Sequence, residues 1–185
     1  DLETLAAERE ILIQFYRDTD GDNWIHNDNW CSDKPIEEWE GVSVTDGEGA
    51  YGDGNWVDFR EGRCVYIHLS NNNLRGAGSL AGMETLRVFW FDGNPLTSLD
   101  VSDCTALKEL VCGANPLTSL DVSGCTELQS LACESMPLTS LDVSGCTELR
   151  EMYVGYTPLP SLDVSGCTAL EDLHCNDLVK ENLCY

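Results

Sequence analysis

Cys104, Cys125, Cys146 and Cys167 recur every 21 residues, and Pro95, Pro116, Pro137 and Pro158 keep the same interval, as do Asp100, Asp121, Asp142 and Asp163. A unit that short cannot bury its own apolar face, so successive units must stack into a solenoid, with side chains one period apart lying over one another. This spacing constrains the chain more than any other feature. It decides which side chains of the second half enter the core and which meet solvent.

At 185 residues the chain allows one domain or an elongated array with a cap, and a hydrophobic fraction of 42% is ample for a continuous core. The 10 Lys and Arg against 33 Asp and Glu give a formal net charge of -23, a field that repels phosphate backbones and anionic headgroups. Nucleic acid and bare membrane are thereby poor partners. No apolar run approaches the roughly 18 residues needed to span a bilayer, and Asp1-Leu2-Glu3-Thr4 has no charged-then-apolar signal architecture.

Ten cysteines invite a disulfide reading. Stacked coils lie about 4.8 Å apart, which suits the Cα separation of a disulfide, yet equivalent side chains in adjacent coils project in parallel and the near-perpendicular sulfur torsion is hard to reach. Cys104, Cys125, Cys146 and Cys167 are therefore expected to be free buried thiols. Cys112, Cys133 and Cys175 share a second slot whose remaining occupant is Val154, so that slot wants a small apolar group. Cys31 and Cys64 lie outside the ladders and are candidates to pair, as are Cys175 and Cys184. No C-x-x-C pair and no finger-like His spacing marks a metal site.

Residues 1–17 read as a helix, with Leu2, Leu5, Leu12 and Tyr16 on one face, Ile11 and Phe15 beside them, and Glu3, Glu8 and Arg9 on the other side. Asp18-Thr19-Asp20-Gly21-Asp22-Asn23 ends it. The Trp- and Asn-rich stretch 24–39 suits an irregular cap that buries Trp24, Trp30 and Trp39 over one end of the core. Short strands are expected at 42–45 and 56–59, around an exposed Gly- and Asp-rich loop at 46–55. The cap thus occupies residues 1–62 and the array residues 63–185.

The array fits the pattern L-x-x-L-x-L-x-x-N-x-L of leucine-rich repeats. Cys64-Ile67-Leu69-Asn72-Leu74 opens it, Leu86-Phe89-Phe91-Asn94-Leu96 follows after 22 residues, and four coils at 21-residue spacing complete it, the last truncated. Each coil should give one short strand to a parallel concave sheet, with the Asn satisfying loop backbone. The Asn series, Asn72, Asn94 and Asn115, lapses to Met136, Thr157 and Leu178. The returning segment, Leu120-Asp121-Val122-Ser123 and its equivalents, alternates, placing Leu120, Val122 and Cys125 inside under a Ser, Thr and Asp surface with little helix.

The segment from Ile13 to Trp24, continued by Asn29-Trp30 and Glu38-Trp39-Glu40-Gly41-Val42, resembles the N-terminal cap of bacterial and plant-type leucine-rich-repeat proteins, and Leu69-Ser70-Asn71-Asn72-Asn73-Leu74 resembles their first repeat. Leu-Thr-Ser-Leu-Asp-Val-Ser-Gly-Cys-Thr-Glu-Leu is similar to short repeats of exported Bacteroidetes proteins. The resemblance implies an α/β leucine-rich-repeat horseshoe with a helical cap, secreted or anchored at the cell surface. Such proteins present the concave face to protein or glycan partners and are seldom enzymes.

Solvent-facing positions of the concave sheet form three rows: Tyr66, Val88, Glu109, Ser130, Glu151, Asp172; His68, Trp90, Val111, Ala132, Tyr153, His174; and Ser70, Asp92, Gly113, Glu134, Gly155, Asn176. Tyr66, His68 and Trp90 form one candidate binding patch, and Tyr153, Tyr156 and His174 another, since exposed aromatic rings bury large area at low entropy cost. The alternative is that these rings merely cover one another along the sheet. Asp18, Asp20 and Asp22 open like a calcium loop, but its twelfth position is Asn29 where a bidentate carboxylate is needed, so a helix-ending turn is the simpler reading. The aspartate ladder calls for local capping by hydroxyls or backbone N–H groups. No G-x-S-x-G, H-E-x-x-H or phosphate loop occurs, and carboxylate pairs such as Glu109 with Glu134 or Glu151 with Asp172 would sit on an open face that excludes little water. These features point to a non-catalytic recognition module without cofactor. An adhesion spacer that self-associates as a homodimer through its C-terminal end is the second reading.

Overall fold

The computed structural model describes residues 2–34, 38–39, 56–60, 63–176 and 183–184. Helix α1, Leu2–Asp18, buries Leu12, Phe15 and Tyr16. It stops where the Thr19 hydroxyl donates to the Phe15 carbonyl at 2.7 Å and Asp20 turns left-handed at φ 62°. Glu8, expected on the solvent side, is buried: it accepts a 2.6 Å hydrogen bond from the Thr85 hydroxyl and ties the helix to the array. Arg9 lies 4.8 Å over the Trp39 ring and donates to the carbonyls of Ser32 and Lys34.

In chain order the strands are β1 (Trp56–Arg60), β2 (Arg63–His68), β3 (Gly76–Ser79), β4 (Val88–Trp90), β5 (Leu96–Asp100), β6 (Glu109–Val111), β7 (Ser119–Asp121), β8 (Ser130–Ala132), β9 (Ser140–Asp142), β10 (Glu151–Tyr153), β11 (Leu162–Asp163), β12 (Asp172–His174) and β13 (Leu183–Cys184). A seven-stranded sheet runs β1-β2-β4-β6-β8-β10-β12, antiparallel only between β1 and β2. Register puts Ile67, Phe89, Leu110, Leu131, Met152 and Leu173 in one row, so the six parallel strands stack in phase with the sequence period. Short parallel pairs β3–β5, β7–β9 and β11–β13 form a second face where the sequence indicated only an extended return. The strand expected at 42–45 and the loop at 46–55 lie outside the described residues.

One apolar cluster extends from Leu12 to Cys167, with leucines such as Leu110, Leu131 and Leu149 fully buried. Each such side chain is worth about 2 kcal/mol of transfer free energy. The N-terminal segment joins it through rings: Trp24, Trp30 and Trp39 are buried, Tyr16 stacks on Trp30, and Phe15 meets Phe89 edge-on at 6.1 Å.

Two ladders hold coil to coil, and a third caps its own turns. The thiols of Cys104, Cys125, Cys146 and Cys167 are free and buried as expected, and each donates to a carbonyl of the preceding coil, for example Cys146 to Val122 at 3.2 Å. Cys31 and Cys175 are free thiols, so neither candidate disulfide forms, and both are half-buried. Asn94 accepts from the amides of Asn72 and Leu74 and donates to the carbonyls of Leu69 and Phe91. Where the series lapses, Thr157 supplies part of the same bonding, since its hydroxyl donates to Val154 at 3.0 Å as Asn115 donates to Cys112. Each ladder aspartate, Asp100, Asp121, Asp142 and Asp163, accepts the amide two residues on at 2.9 Å, the local capping its spacing calls for.

Candidate functional site

The parallel sheet turns one side chain of each pair inward and the next outward, so the sequence period also arranges the open face. Tyr66, Val88, Glu109, Ser130, Glu151 and Asp172 are register partners in one row, and His68, Trp90, Val111, Ala132, Tyr153 and His174 in the next. Backbone bonds from Gly93 to Gly113, Ala114 to Glu134, Ser135 to Gly155 and Tyr156 to Asn176 carry the ladder through the third row. Val88 departs from the expected pattern: it is buried although its row faces outward.

At the cap end, His68 meets Trp90 edge-on with ring centroids 5.1 Å apart, and the Trp90 indole N–H donates to Glu109 Oε1 at 2.8 Å. The Ser70 hydroxyl donates to Asp92. Burial lowers the His68 pKa from its ordinary value, against the pull of Asp92, and so favours the neutral ring at pH 7. Tyr66 is half-buried in the neighbouring row. At the far end, Tyr153 and His174 stack with centroids 4.5 Å apart and planes 3° from parallel. Tyr156, three residues along the same coil, is 60% exposed, whereas the apolar residues of the core rows are buried.

Tyr156 also has a strained backbone. Asn71, Gly93, Ala114, Ser135 and Tyr156 are equivalent residues in successive coils, and all are left-handed, with φ of 52°, 69°, 53°, 56° and 57°. That conformation costs a bulky side chain about 1–2 kcal/mol and costs Gly nothing. The Asn and Gly at the first two positions of this column are the signal in the sequence, because these residues tolerate left-handed backbone best. Tyr156 stands out in the sequence for its ring alone, because no Gly or Asn marks the turn that presents it.

The structure thus brings Tyr66, His68 and Trp90 onto one end of the sheet and Tyr153 and His174 onto the other. Three strand steps, roughly 14 Å, separate Trp90 from Tyr153. Val111 and Ala132 form the low ground between. A cleft of about 370 Å³ lies between α1 and the first coils, lined by groups such as Glu8 and Thr85, and one of about 290 Å³ lies beside Tyr16 and Asp22; none of the six candidate residues borders them. The calcium-like carboxylates serve separate donors: Asp18 accepts from Gln14, Asp20 from Asn23 and Asp22 from the Tyr16 hydroxyl. Among the described residues no group of three or more metal-ligating side chains converges.

No family model and no curated relative matches the chain. Among solved structures it is similar to the functional domain of InlJ from Listeria monocytogenes, which includes a cysteine ladder, with a TM-score of 0.58 and 34% identity over 63% of this chain. The fold is a leucine-rich-repeat solenoid. The matched part spans 26% of the length of the listerial chain, so the likeness concerns a part of that molecule and not the whole of it. Solenoids of this kind are typically non-catalytic and present repeated surfaces for recognition. No helix among the described residues is long and apolar enough to cross a membrane.

Proposed function

We propose that the protein is a recognition module that binds a protein partner on its concave sheet through Tyr66, His68 and Trp90 at one end and Tyr153, Tyr156 and His174 at the other. One observation carries this reading: Tyr156 is an exposed aromatic residue held in a left-handed turn that costs stability, at a position where glycine would be free of strain. Unfavourable local geometry around an exposed ring is understandable where the ring has a role outside the fold. The stacked Tyr153 and His174 pair on the adjoining strands offers rigid contact area of the kind that dominates binding energy. In this reading residues 1–62 serve as the cap of the array, and the module works outside the cell or on its surface, in keeping with the cap motif and the likeness to a listerial domain.

The test is a screen of the purified chain against arrayed extracellular proteins and glycans, repeated with Trp90→Ala and Tyr153→Ala combined. Loss of the interaction with thermal unfolding almost unchanged supports the proposal. Undiminished binding by the double variant removes this surface from consideration, and hits confined to neutral glycans replace a protein partner with a carbohydrate.

A further inference from the structure

The three outward rows of the concave sheet carry Glu109, Glu151, Asp172, Asp92 and Glu134, and not one Lys or Arg. At the entrance to the strands, Lys108 pairs with Glu127 at 3.9 Å and Arg150 with Glu171 at 3.8 Å, and Arg87 holds the equivalent exposed position one coil before Lys108. The carboxylates flank the rings at each end. Glu109 holds the Trp90 indole, Asp92 lies near His68, and Glu151 and Asp172 are register partners in the row beside Tyr153 and His174. Glu134 reaches over Gly155, where a side chain would begin 3.4 Å from its carboxylate oxygen.

We infer that the occupant of this face is a cationic segment of a protein, whose Arg or Lys side chains seat on the two ring stations, Trp90 with His68 and Tyr153 with His174, between the carboxylates. This rests on the concave-face reading above and names the chemistry of its partner. A guanidinium or ammonium over an aromatic face, within reach of a carboxylate, satisfies both its charge and its flat surface. The overall charge of -23 draws such a segment in from a distance. With its neutral form favoured, His68 adds little opposing charge at the first station at pH 7. Spacing sets a second requirement. With the stations roughly 14 Å apart and an extended chain advancing about 3.4 Å per residue, basic residues about four apart reach both.

The probe is a fluorescent deca-arginine peptide, with deca-glutamate and a Gly-Ser peptide beside it, titrated into the intact chain at about 50 mM and about 300 mM salt. Deca-arginine should bind, more weakly at the higher salt, and the other two should not. Glu151→Gln with Asp172→Asn should weaken it about tenfold, while Glu10→Gln with Asp33→Asn, an equal change of charge on the exposed surface of the cap, should change it less than about twofold. Equal losses in both pairs, or no binding of deca-arginine, overturn the inference. If the Trp90 and Tyr153 double variant abolishes capture of a screened partner while the carboxylate variants leave that partner and deca-arginine unaffected, the recognition surface stands and only its cationic preference falls.

Discussion

The imidazole of His174 lies flat on the phenol ring of Tyr153, with centroids 4.5 Å apart and planes 3° from parallel. The two residues are register partners on β12 and β10, so one strand spacing sets their separation and no loop has to hold them. Ring pairs of this type are worth about 0.5–1.5 kcal/mol beyond the area they bury. His174→Ala should therefore lower stability by about 0.5–1 kcal/mol, and His174→Phe should restore it. Chemical denaturation of the three proteins measures this, and equal stability of the Ala and Phe variants would show that the stacking contributes nothing.

Tyr156 provides the opposite sign. Replacing it by Gly removes the left-handed penalty, partly offset by the greater freedom of Gly in the unfolded chain, and should stabilise the protein by about 0.5–1 kcal/mol. The same change should weaken binding on the concave face. A variant that is more stable and binds less well is the outcome expected of a residue kept for its surface. If Tyr156→Gly is less stable than the parent, the ring contributes to the fold and strain no longer speaks for a role in binding.

Two glycines at equivalent positions should respond differently to the same methyl group. A Cβ on Gly145 would lie 1.9 Å from the Ser123 carbonyl oxygen, inside the backbone of the previous coil, whereas on Gly124 the nearest atom, the Asp103 amide nitrogen, is 3.9 Å away. Gly145→Ala should cost about 2–3 kcal/mol because one coil must move away from the next. Gly124→Ala should be neutral or raise stability by up to about 1 kcal/mol, through the reduced freedom of the unfolded chain. Thermal unfolding of the two variants separates them directly.

What the sequence made legible follows from periodicity. Equivalence at 21 residues assigned the core row from Ile67 to Leu173, the buried thiols and the outward rows, because stacking converts spacing along the chain into contact between coils. Features that depend on contacts outside the period were not legible. Glu8 has the helical phase of a solvent-facing residue, and only the approach of Thr85, 77 residues away, buries it. Cys31 and Cys64 stood together as the cysteines left over from the ladders, which says nothing about distance, and Cys31 proves to be a free thiol beside the Tyr16 and Asp22 cleft. Thr157 replaces Asn in the ladder through its hydroxyl, a substitution that a pattern of residue names reads as a loss.

The buried thiols make the array sensitive to alkali. Burial pushes Cys104, Cys125, Cys133 and Cys146 up to about 12 from an ordinary value of 9.0, and raises Cys112 and Cys167 as well. Below pH 9 the folded and unfolded chains both keep these protons, so the stability is fully present. Between pH 9 and 12 only the unfolded chain releases them, and stability declines as pH rises, by about 1.4 kcal/mol per pH unit for each thiol. Several thiols acting together should unfold a domain of ordinary stability cooperatively between about pH 10 and 11. Cys146→Ala should cost about 1–2 kcal/mol at pH 7, from the cavity and the lost bond to Val122, yet make the decline above pH 9 shallower by the share of one thiol. Denaturation midpoints collected from pH 7 to 11 measure both effects. An unchanged slope in the variant would mean that the thiols titrate alike in both states and that their burial does not set the alkaline limit.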